Sequence, residues 1–139
     1  MGFREAANYP ASGGPANPYL GPMAVKLSAK QQTQVSFLQL LPPKFARWQS
    51  VIEQMGGGKV DESFVRGMIR TLDEVKSGAS QLGLGALAGA ASQMASTARR
   101  GGGAQVKVRA LREDLASIRT NYESALKKAS IPEEESPET

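Results

Sequence analysis

Residues 108–129 read VRALREDLASIRTNYESALKKA, and their spacing decides what kind of protein this is. Apolar side chains recur as Val108, Leu111, Leu115, Ile118, Tyr122, Ala125 and Ala129, at steps of three and four. That is the 3.6-residue period of one helix face, not the two-residue alternation of a strand. Pro132 marks the limit, because proline has no N–H and clashes with the preceding turn.

The same period recurs upstream. Leu84, Leu87, Ala91, Met94 and Ala98 form a stripe in a segment rich in Ala, Gly and Ser, whose small side chains let neighbouring helices approach. Arg99 and Arg100 suit its C-terminal end, and Gly101-Gly102-Gly103 terminates it. Before it, Phe64, Met68, Leu72, Val75, Ala79 and Leu82 form another stripe, with Asp61 as N-cap, Glu62 in the first turn and Gly83 at the end. The first stripe is Leu38, Leu41, Phe45, Trp48, Ile52 and Met55. Ser28 and Gln31 offer a capping box at its start, and Gly56-Gly57-Gly58 stops it. Pro42-Pro43 falls inside and predicts a kink or short break. Trp48 and Tyr122 are expected in the core.

Four amphipathic stripes joined by short glycine-rich turns predict an all-α fold, an antiparallel up-down four-helix bundle spanning residues 28–130. Residues 1–27, interrupted by Pro and Gly, read as a flexible segment, and residues 131–139 as a flexible acidic tail. No apolar run approaches the roughly 18 residues of a membrane span, and the first residues lack the basic-then-apolar order of a secretory signal. The expected location is cytoplasmic.

The formal charge of +4 is uneven. Glu133, Glu134, Glu135 and Glu138 lie in the tail, which has no Lys or Arg, so residues 1–129 carry +8. A basic body favours an acidic partner surface or nucleic acid, and the acidic tail is placed to fold back and mask it.

The chain contains no His and no Cys. Imidazole bases, thiolate nucleophiles, disulfides and the usual transition-metal ligands are therefore excluded. The helix-borne or near-helix acids Glu53, Asp61, Glu62, Asp73, Glu74, Glu113, Asp114 and Glu123 mostly fall off the apolar stripes. The pairs Glu62–Arg66, Asp73–Lys76 and Arg109–Glu113 read as solvated helix-face contacts. The two glycine clusters match neither phosphate-binding loop pattern and follow no strand, so they read as turns. No enzyme, cofactor or metal site is expected.

Residues 72–83, Leu72-Asp73-Glu74-Val75-Lys76-Ser77-Gly78-Ala79-Ser80-Gln81-Leu82-Gly83, resemble the signature of the histidine phosphotransfer (HPt) domains. That signature runs His-x-Leu-Lys-Gly-Ser-Ala, then a Leu-Gly or similar pair. Lys76 falls on the family lysine, Ala79 on the alanine and Leu82-Gly83 on the closing pair, while Val75 takes the apolar position before the lysine. Phe37-Leu38-Gln39-Leu40-Leu41-Pro42 is similar to the end of the family's first helix, and the likeness extends over residues 29–129. The departures are specific. Asp73 stands where the phospho-accepting histidine belongs, Ser77 replaces the glycine, and Gly78 the serine.

The resemblance implies a degenerate, pseudo-HPt domain of bacterial two-component signalling, its docking surface kept and its chemistry lost. Arg66, Arg70, Asp73, Ser77 and Ser80 follow one another at steps of four, three, four and three and form one row. With Lys76 they are the expected receiver-binding residues. The implied function is a non-catalytic adaptor that binds a response-regulator receiver domain, or a histidine kinase, and modulates phosphotransfer without being phosphorylated. The alternative is a basic nucleic-acid-binding bundle using Arg99, Arg100, Lys107, Arg109, Arg112 and Arg119, or a scaffold bundle serving assembly only. No membrane partner is expected.

Overall fold

In a computed structural model the described residues are 27–132. Five α-helices follow in order: α1 (Ala29–Leu38), α2 (Leu41–Gly56), α3 (Glu62–Gln81), α4 (Gly85–Arg99) and α5 (Ala104–Ala129). Every regular element among the described residues is helical. Residues Ala29–Ile131 form one compact unit. The flexible segments expected at 1–27 and 131–139 fall outside the described residues, apart from Leu27, Ile131 and Pro132.

α2 packs on α3 and α5, α3 on α4, and α4 on α5, which closes a four-membered ring; α1 lies against α5. The first expected helix is thus divided in two, and the break falls at Gln39–Leu40 rather than at the prolines. The reason is local. Pro42 and Pro43 occupy the first turn of α2, where a missing N–H breaks no helical bond, so the chain turns just before them.

Both turns at the ends of α2 and α3 are Schellman motifs. After α2, Gly58 takes φ 76°, its N–H donates to the Met55 carbonyl, and Lys59 N–H donates to the Gln54 carbonyl. After α3, Gly83 takes φ 75°, donating to Ser80, while Leu84 N–H donates to Ala79. Glycine is the residue that reaches this left-handed conformation without a Cβ penalty.

Leu38, Leu41, Phe45, Trp48, Ile52 and Met55 are all buried, as are Leu72, Leu87, Met94, Leu111 and Ile118. Full burial of one such side chain is worth about 1.5–3 kcal/mol. That exceeds the ~1 kcal/mol that a mid-helix glycine such as Gly89 costs α4. One apolar position departs from the sequence expectation. Phe64 is 51% exposed, and its neighbour Val65 occupies the core instead. Tyr122 is half-buried and meets Phe45 edge-on, with ring centroids 5.2 Å apart.

α1 ties one end of the ring together. The side-chain amide of Gln34 donates to the Leu82 carbonyl at 2.8 Å, and that of Gln31 donates to the carbonyl of Ile131. Phe37 lies directly over Gly78 of α3.

Candidate docking site

α3 is the element on which the site expectations converge. Its N-terminus is fixed by Asp61, whose Oδ1 accepts from the backbone N–H and from the hydroxyl of Ser63, both at 2.8 Å. The backbone hydrogen bond, then the hydroxyl, then the nearby Arg66 charge hold the Asp61 carboxyl below its ordinary range. These bonds favour the ionised form. Val65, Met68, Leu72, Val75 and Ala79 face the core.

The opposite face is open. Arg66, Arg70, Lys76, Ser77 and Ser80 are all exposed. Helical spacing puts Lys76 and Ser80 on the flank shared with Asp73, three and seven residues on. Ser77 and Ser80 keep the surface low between the longer cationic side chains. Glu74 is also exposed and tempers the positive charge.

Asp73 is half-buried and is not a free carboxylate. The guanidinium of Arg99, near the end of α4, donates to its Oδ2. The side chains are 44% and 53% exposed, so the pair sits at the surface of the α3–α4 seam. The partner of Asp73 is therefore on the next helix, not Lys76 one turn along its own. A second cross-helix pair joins Arg112 of α5 to Glu53 of α2 at 3.1 Å. Nothing in the sequence pointed to Arg99 as part of this face. It lies 26 residues from Asp73, and its periodicity only marks it as the basic end of a helix.

The other flank of α3 meets α2 through one specific bond. The Trp48 indole N–H donates to the Thr71 hydroxyl at 2.8 Å. That hydroxyl in turn donates to the carbonyls of Gly67 and Met68. α3 thus has three distinct sides: a seam with α4 closed by an ion pair, a seam with α2 keyed by an indole, and a basic, low-relief face between them.

Among the described residues no three acidic side chains are grouped so as to hold a metal ion. No helix among them is long and apolar enough to cross a membrane. Comparison with protein-family models, with curated proteins and with solved structures returned no match.

Proposed function

We propose that the protein is a cytoplasmic, non-catalytic adaptor of two-component signalling, a pseudo-HPt domain. It binds the receiver domain of a response regulator, or a histidine kinase, through α3 and modulates phosphotransfer without carrying phosphate. The observation that carries this is the pairing of Asp73 with Arg99 in the middle of an otherwise exposed, cationic, small-residue face. The carboxylate that would repel an acidic partner pocket is neutralised by a guanidinium that lies near Arg66. Complementary charge steers encounter and fixes register, while Ser77 and Ser80 leave room for a partner to approach. A side chain held in an ion pair, with neither a cluster of further acids nor an imidazole, is poorly suited to accept phosphate.

The test uses isothermal calorimetry of the full chain against a panel of receiver domains and kinase dimerisation domains. Binding in the micromolar range is expected, lost in Arg70→Glu and in Ser77→Trp, with no label on the protein in a phosphotransfer assay. Binding unaffected by both substitutions would remove α3 as the docking element, and stable label on Asp73 would overturn the non-catalytic role.

The nucleic-acid alternative fits the geometry less well. Of the six basic residues it needs, Arg99 and Arg112 are engaged by Asp73 and Glu53. Lys107 lies beside Arg100 at the Gly101–Gly103 turn, whereas Arg112 points to α2. The charges therefore diverge to two sides of α5 instead of forming one phosphate track. A salt-sensitive mobility shift with duplex or single-stranded DNA would favour this alternative.

A further inference from the structure

The seam between α2 and α3 is not filled. A groove of about 410 Å³ runs along it, with Trp48, Val51 and Met68 as its floor. Gly67 opens it: a Cβ built there would meet nothing within 4 Å. Phe64 forms one wall and is 51% exposed. The other large apolar side chains exposed among the described residues are Leu40, Val106 and Ile131. Those three lie at helix ends, where fraying chain is commonly solvated. Val106 borders only a smaller hollow of about 160 Å³ at the Gly101–Gly103 turn, whereas Phe64 borders the groove. Arg47 and Arg70 edge the groove, and no acidic residue lines it.

We infer that this groove binds an acidic amphipathic segment of a partner protein, with an aromatic or aliphatic side chain seated over Gly67 and carboxylates against Arg47 and Arg70. A shallow apolar trough between two antiparallel helices matches the helix-in-groove mode, in which anchors at i, i+3 or i+4 enter the trough and polar groups meet its rim. Its volume falls within the ~300–1,000 Å³ usual for binding clefts. The inference does not rest on receiver binding, since Arg70 is the only residue common to both surfaces.

Charge and composition select this occupant over the three others at hand. The chain's own acidic end, EEESPET at 133–139, contains no aromatic or large aliphatic anchor. Residues 1–26 contain apolar side chains but carry Arg4, Glu5 and Lys26, so they are not acidic. A second copy would bring another Arg47 and Arg70 to the same seam, like charge against like.

The experiment is selection of a random-peptide display library on the full chain, with counter-selection on Gly67→Leu. The Cβ added at Gly67 meets nothing within 4 Å, and the rest of the leucine side chain occupies the groove. Enriched peptides are expected to be acidic, with apolar residues spaced three or four apart. Synthesised without tryptophan, they should shift the emission of Trp48, the single tryptophan of the chain, and lose about tenfold or more in affinity against Gly67→Leu. Phe64→Asp and the double change Arg47→Glu with Arg70→Glu test the same contacts if the leucine variant fails to fold. No enrichment over the filled-groove variants, or enrichment of neutral or basic peptides, overturns the inference. So does a dimer that Gly67→Leu dissolves, which assigns the groove to a second copy. A Trp48 emission shift on deleting residues 133–139 assigns it to the chain's own tail and overturns it equally.

Discussion

α3 contains two interior glycines whose replacement by alanine should act in opposite directions. In an open helix, Gly→Ala stabilises by roughly 0.5–1 kcal/mol, because glycine loses the most backbone entropy on folding. Gly67 is such a site, with nothing within 4 Å of an added Cβ. At Gly78 the same Cβ would lie 2.5 Å from Cε1 of Phe37, 3.1 Å from Cζ and 3.4 Å from Cδ1. Carbon atoms attract best at about 3.5–4.0 Å, so the ring must retreat by roughly 1 Å. Phe37 cannot swing far alone, since α1 is held on both sides by Gln31 and Gln34. Overpacking of this kind costs typically 1–3 kcal/mol. Set against the propensity gain, Gly78→Ala should be net destabilising by about 0–2 kcal/mol. With Phe37→Ala in the background the overlap disappears, and Gly78→Ala should then stabilise as Gly67→Ala does. The coupling energy of the cycle is expected at about 1–3 kcal/mol. Urea denaturation of the four proteins measures it. In a domain of about 100 residues, 1 kcal/mol also moves the melting temperature by roughly 4–8 °C. Gly78→Ala as stabilising as Gly67→Ala, or a coupling near zero, would refute the packing of α1 on α3.

Three further outcomes follow from the same contacts. Asp73→Asn and Arg99→Ala should each change stability by no more than about 1 kcal/mol, as expected for an exposed pair, and their coupling should shrink in 1 M salt; a coupling above about 2 kcal/mol would mean that the pair is structural. Thr71→Val removes the acceptor of the Trp48 indole N–H and should cost about 1 kcal/mol, read by urea denaturation together with a change in tryptophan emission. Asp61 has its carboxyl held below the ordinary range in the folded state, so its contribution is complete above the unfolded value near pH 4 and is lost as pH falls through the lowered folded value. Asp61→Asn, which still caps but does not titrate, should flatten the acid limb of the stability curve below about pH 4, and an unchanged limb would contradict the linkage.

The bundle was legible in the sequence because its signals are local and repeated. Each stripe declares a helix by itself, and Gly58 and Gly83 announce the turns by needing a conformation that other residues avoid. Less was legible where two local patterns fit equally. Phe64, Met68, Leu72 and Val65, Met68, Leu72 are both helical series, and only the position of α2 decides which neighbour is buried. The break before α2 lies earlier than the prolines suggest, because here proline starts a helix rather than disrupting one. Arg66, Arg70, Lys76, Ser77 and Ser80 could be placed on one face from spacing alone. The partner of Asp73 could not, because a contact between helices depends on their relative register, which no period within one helix encodes.

The two seams of α3 explain why one helix offers two kinds of surface. α4, which packs on α3, buries the small residues Ala88, Ala91, Ala95 and Ala98. Such small side chains bring the backbones close enough for Arg99 to span the seam and cancel Asp73. Toward α2 the spacing is set by Trp48, whose indole must reach Thr71, and Gly67 leaves the space beside it unfilled. Large on one side and small on the other, the neighbours leave a neutralised carboxylate on the first seam and an apolar trough on the second. Arg70 lies between them, so its charge serves both surfaces. Changes confined to the α4 seam, such as Arg99→Ala, should then alter what the exposed row binds and leave the trough intact. Filling Gly67 should do the reverse. Substitution at Arg70 should weaken both, so it is the opposite selectivity of Arg99→Ala and Gly67→Leu that tells two surfaces from a single shared one.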